Sequence, residues 1–157
     1  MAASEERIAA LREKARVLYE GKRVAHRSCG IALAETFGVA TRPYQALRGG
    51  GISGLGPCGA IQAGRLILGE VFGDPDPSGA VTPALRGAMA HYDAEIARRM
   101  PGTERASCKT LTGRFPIFQS EERAGFCTGI AAEVAEVLAE TIARFGGTLP
   151  EATIPEH

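Results

Sequence analysis

Apolar positions recur at intervals of three and four along most of the chain, and each such stripe ends at a glycine or a proline. From Ser4, a candidate N-cap followed by Glu5 and Glu6, the residues Ile8, Leu11, Ala15 and Leu18 share one helical face, and Gly21 closes the segment. Ala25, Cys29, Leu33 and Thr36 form a second stripe that stops at Gly38. Arg42-Pro43 opens a short helical turn, and Gly49 to Pro57 then places five glycines in nine residues, a loop signal. With Pro57 at a first helical position, Cys58 to Phe72 reads as a helix buried on most sides, with Cys58 in its first turn and Gly73 as its stop. Asp74 to Gly79 is a turn-rich surface linker. Leu85, Met89, Tyr92, Ile96 and Met100 then predict an amphipathic helix ending before Pro101. Ser107 to Gly113 is short and polar, and Phe115 to Phe118 is an apolar connector. Ser120-Glu-Glu-Arg starts a last helix whose stripe is Phe126, Ile130, Val134, Val137, Thr141 and Phe145.

No run of β-branched residues alternates with period two, so the pattern predicts an all-α fold: one compact domain of about five helices. The expected domain covers residues 1–147. Residues 148–157, with Pro150 and Pro155, are expected to form a flexible tail. The length of 157 residues and 45% hydrophobic content support a single core.

Eighteen basic residues balance 18 acidic ones, which removes a general pull towards nucleic acid or anionic lipid. Nine aromatics and no Trp leave little surface for stacking bases. No stretch reaches 18 uncharged apolar residues, so no membrane insertion is expected. The first residues lack the basic start and apolar block of a secretory signal, which predicts a cytoplasmic protein with reduced thiols.

The candidate chemistry is therefore in four cysteines, Cys29, Cys58, Cys108 and Cys127. Their spacing contains no Cys-x-x-Cys knuckle, no zinc-finger pattern and no haem-attachment motif, so any shared site needs the whole fold to assemble it. Four buried thiols acting as small hydrophobes are the plain alternative. Against it, Cys58 follows the glycine-rich run at a helix start, where free N–H groups favour thiolate. Glycines there also let backbone amides approach sulfur. Ser28 and Gly30 flank Cys29, and Thr128 and Gly129 follow Cys127, which leaves room beside each sulfur. Lys109 follows Cys108 and is expected to lower its pKa.

With these residues in view, the chain resembles the C_GCAxxG_C_C family of small four-cysteine redox-active proteins. The resemblance spans residues 24–145: Cys29 with its apolar helix, the glycine run into Cys58-Gly-Ala-Ile-Gln-Ala-Gly64, Cys108-Lys-Thr-Leu-Thr-Gly113, and Cys127 opening the last helical pattern. One departure is Ala63 where the family's Cys-Gly-Ala-x-x-Gly has glycine, with Gly64 one place later. A related domain occurs in split-Soret cytochromes, where cysteines hold a two-iron, two-sulfide cluster near the haems. The resemblance implies Cys29, Cys58, Cys108 and Cys127 as metal and cofactor ligands of an iron–sulfur cluster, of the 2Fe–2S type. It implies electron transfer or redox sensing with a redox partner protein rather than catalysis on a small substrate. A thiol–disulfide oxidoreductase or sensor with Cys58 as reactive thiol stays open, as do zinc binding through four thiolates, a helical adaptor with buried thiols, and a homodimer.

Other polar residues were weighed for support. His26, three residues before Cys29, is within helical reach as a substitute ligand or proton donor, beside the simpler reading of a surface residue. His91 and His157 have no convergent partner in sequence. Arg42, Arg48, Arg65 and Lys109 lie near cysteine-bearing segments and are candidates for offsetting cluster charge. The glycine run lacks a P-loop's Gly-Lys-Ser/Thr ending, and no nucleophile elbow occurs.

Overall fold

In a computed structural model, which describes residues 2–156, helix α1 (Ala2–Glu20) and helix α7 (Glu121–Arg144) run antiparallel as the spine of the molecule. Tyr19 meets Arg123 at one end, Arg12 meets Glu133 and Glu136 in the middle, and Arg7 reaches the carbonyl of Leu149 at the other. The seam is apolar, as the stripes require: Leu11, Ala15 and Leu18 from α1 and Val134, Val137 and Thr141 from α7 are fully buried. Each such leucine contributes about 1.5–3 kcal/mol by leaving water. The hydroxyl of Thr141 donates within its own helix to the carbonyl of Val137, so its burial strands no polar group.

Helices α2 (Cys29–Thr36), α4 (Gly59–Phe72) and α5 (Pro83–Arg99) pack against this spine. Tyr92 of α5 is fully buried and its hydroxyl donates to the carbonyl of Ile61 at 2.7 Å, tying α5 to α4. Gly64 lies under that tyrosine, where a Cβ would overlap the phenol oxygen and ring. Close packing thus falls at Gly64, and fully buried Ala63 beside it is accommodated. Two short segments, the single-turn helix α6 (Cys108–Thr112) and α3 (Arg48–Gly51), a turn whose Gly49 and Gly50 are left-handed, raise the number to seven among the described residues. Five of these have eight residues or more. The short ones have no room for a periodic stripe, which is why the hydrophobic pattern passes over them. Among the described residues there is no strand, only an isolated bridge between Pro57 and Ser107.

Several boundaries differ from expectation. Ser4 lies inside α1, and α2 starts at Cys29, so Ala25 and His26 sit in an irregular link instead of on a helix. The segment after Gly147 is non-helical as expected, yet Leu149 is buried and Ala152 and Ile154 pack against the core. His157 lies outside the described residues. No helix among the described residues is long and apolar enough to cross a membrane.

Candidate functional site

Cys29 is the first residue of α2, Cys58 caps the start of α4, Cys108 is the first residue of α6, and Cys127 stands two turns into α7. The fold brings all four to one cavity of about 300 Å3. Cys58, Leu111 and Ile130 form its buried floor, and the exposed residues His26, Gly49, Phe118 and Gln119 mark its mouth. All four thiols are free.

The glycine-rich segment is a fixed strap over Cys108. Gly56 donates to Gly50 at 2.9 Å, and its carbonyl accepts from the Cys108 amide at 2.8 Å, while the Lys109 amide donates to Gly54 at 2.9 Å. Gly50 has φ +66°, and a Cβ on it would stand 2.5 Å from the Cys108 Cβ, so only glycine fits there. Gly59 plays the same part for Cys29: its Cβ would come within 2.8 Å of the Cys29 sulfur and 2.7 Å of the Leu47 carbonyl oxygen. At the start of α6, Ser107 accepts from the Thr110 amide at 3.1 Å and fixes the turn that presents Cys108.

The electrostatics reverse two expectations. Burial pushes the Cys58 thiol up to about 11, although the amides of Ile61 and Ala60 donate to its sulfur and pull the other way. Cys108 is also raised, by burial and by Cys127, and the cation that opposes this is Arg123, not Lys109. Burial carries Cys29 to about 12, with Cys58, Cys108 and Cys127 adding to the rise and the Gly30 amide opposing it. Each pair among the four sulfurs repels when charged. In the metal-free cavity Cys29, Cys58 and Cys108 therefore favour the protonated thiol. At Cys58 desolvation outweighs the pull of the helix start.

Two side chains without a local sequence signal complete the site. Arg123 donates to the Tyr19 hydroxyl at 2.9 Å and to the Phe118 carbonyl at 2.6 Å, stacks 4.3 Å from the Phe118 ring centroid, and stands one helical turn before Cys127 in the wall of the cavity. Tyr19 is buried, and its hydroxyl is held well above its ordinary pKa by burial first and by Cys127 next. The spacing of Arg123 and Cys127, four apart on a helix, was the only hint available in sequence. His26 reaches the mouth from outside any helix, and its Nδ1–H donates to the Tyr19 carbonyl. Of the other proposed cations, Arg65 pairs with Asp93 between α4 and α5, and Arg42 does not line the cavity.

A four-thiolate group can be tested against this cavity on three observations. The donor set consists of four free thiols converging from four elements, the requirement for such a cluster. The Ser28 hydroxyl at the wall is buried without a partner, a free donor for a sulfur or sulfide. The starts of α2 and α4 and the Arg123 guanidinium supply positive potential to a dianionic centre. Among the described residues, however, no three His, Cys, Asp or Glu side chains are set closely enough to hold one metal ion.

No family model matches the chain, and no curated protein or solved structure matches it either.

Proposed function

We propose that this domain holds an iron–sulfur cluster, of the two-iron, two-sulfide size, through Cys29, Cys58, Cys108 and Cys127, and that it serves electron transfer or redox sensing. The observation that carries the reading is the convergence of all four thiols, spread over a hundred residues of sequence, on one cavity. The cluster would supply one-electron chemistry. The chain's own residues bind and tune: four sulfurs ligate, the amides of Gly30, Ala60 and Ile61 donate to sulfur, and Arg123 offsets charge at Cys127. High thiol pKa values mean that loading releases protons, because the ligands must be thiolates.

The test is anoxic reconstitution of the full chain with iron and sulfide, followed by visible absorption and electron paramagnetic resonance of the reduced sample. A charge-transfer spectrum and a paramagnetic reduced state are expected. A colourless product with four titratable free thiols after reconstitution would refute the reading.

A further inference from the structure

The net charge of zero conceals an uneven distribution. Residues 19–59 and 108–130, the segments that contain every residue lining the four-cysteine cavity, hold eight of the 18 basic residues and four of the 18 acidic ones. Besides Arg123, which lines the cavity, cations beside its lining residues include Arg48, next to Gly49; Lys109, next to Cys108; and Arg114, whose guanidinium sits 4.8 Å from the centroid of the lining Phe126. All three are exposed, and none has a carboxylate partner among the described residues. The acids in these segments are Glu20, which pairs with Arg16, Glu35, which pairs with Arg27, and Glu121 and Glu122 in the first turn of α7, where the helix start favours them.

Apolar side chains lie among these cations. Ile117 and Phe118 are 66% and 50% exposed, and Phe118 lines the mouth itself. Ile52 and Leu55, 77% and 73% exposed, sit on the glycine strap that is hydrogen-bonded to Cys108 and Lys109. These four are the most exposed large apolar residues on the described surface but for Val81, which lies in the linker before α5. An apolar centre edged by unpaired charges of one sign is the make-up of a transient, electrostatically steered interface.

We propose that the mouth of the cavity is a docking surface for a small acidic electron-transfer protein, whose carboxylates meet Arg48, Lys109 and Arg114 while apolar contact forms on Phe118 and its neighbours. That the partner carries electrons rests on the cluster reading. The sign of its charge does not.

The test is titration calorimetry of the full chain, metal-free and reconstituted, with an acidic plant-type ferredoxin as probe. Basic cytochrome c and phosphatidylserine vesicles serve as comparators. Binding to the ferredoxin is expected to weaken at least about tenfold when ionic strength rises from about 0.01 M to about 0.15 M, which shortens the screening length from about 30 Å to about 8 Å. The double variant Lys109→Glu/Arg114→Glu should lose at least about tenfold in affinity, while Arg86→Glu on α5, away from the mouth, should bind as the parent does. An absence of ferredoxin binding, equal losses in both variants, or preferential binding to cytochrome c or the vesicles would overturn the proposal. Ferredoxin binding by a chain that takes up no iron would uphold the surface while sinking the cluster reading. A loaded chain that ignores the ferredoxin would do the reverse.

Discussion

Replacing Gly59 by alanine separates a site effect from a stability effect. The new Cβ would lie 2.7 Å from the Leu47 carbonyl oxygen and 2.8 Å from the Cys29 sulfur, where ordinary contact begins near 3.4 Å. The carbonyl is backbone at the end of the 3-10 turn Arg42–Leu47 and does not swing away cheaply. Overpacking of this kind costs about 1–3 kcal/mol, and the helix-propensity gain of up to about 1 kcal/mol is smaller in a first turn. For a domain of this size the net loss corresponds to a fall in Tm of about 2–8 °C. The sulfur must also give way by about 0.6 Å, whereas ligand distances are kept within about 0.2 Å, so iron retention should fall far more than stability. The assay is a thermal melt of the metal-free chain beside the iron content after reconstitution. Gly129→Ala is the comparator, since a Cβ there meets nothing within 4 Å and should stabilise α7 without touching the iron. If Gly59→Ala keeps both its Tm and its full iron content, the placement of Cys29 against α4 is wrong.

Three further outcomes follow from the same geometry. Because the folded pKa values of Cys29 and Cys58 lie near 12 and 11, above the ordinary 9, the folded state keeps protons that the unfolded chain has lost. Stability of the metal-free form should be full below about pH 9 and decline by a few kcal/mol towards pH 11–12, by a smaller amount in Cys29→Ala/Cys58→Ala, as followed by denaturant melts across pH. Arg123→Met should free the Phe118 segment, speeding modification of Cys127 by a bulky neutral maleimide, and should lower the midpoint potential of a loaded chain, whereas Arg123→Lys restores part of the potential; unchanged values in Arg123→Met would remove its tuning role. Arg99→Ala should cost about 1 kcal/mol, because it leaves Glu140 without its cation and Glu133 and Glu136 with Arg12 alone, and should leave iron content unaltered.

The long elements were legible in sequence because burial enforces the period: Leu11, Ala15 and Leu18, or Val134, Val137 and Thr141, are fully enclosed where the stripes put them. The site was legible only as a set of residue types. Nothing local joins Tyr19 to Arg123 across 104 positions, and the single turn of α6 has no periodicity to announce Cys108 as a wall of the cavity. The local rules that favour thiolate at a helix start and beside a lysine pointed the wrong way. They omit desolvation, which depends on the neighbours that the completed fold supplies.

The most direct measurement counts iron and acid-labile sulfide per chain after anoxic reconstitution, in the parent and in the four single variants Cys29→Ser, Cys58→Ser, Cys108→Ser and Cys127→Ser. A shared four-sulfur centre predicts two irons and two sulfides in the parent and a loss of both in every variant. Parent-like loading in any one of the four variants, or sulfide-free protein throughout, contradicts it.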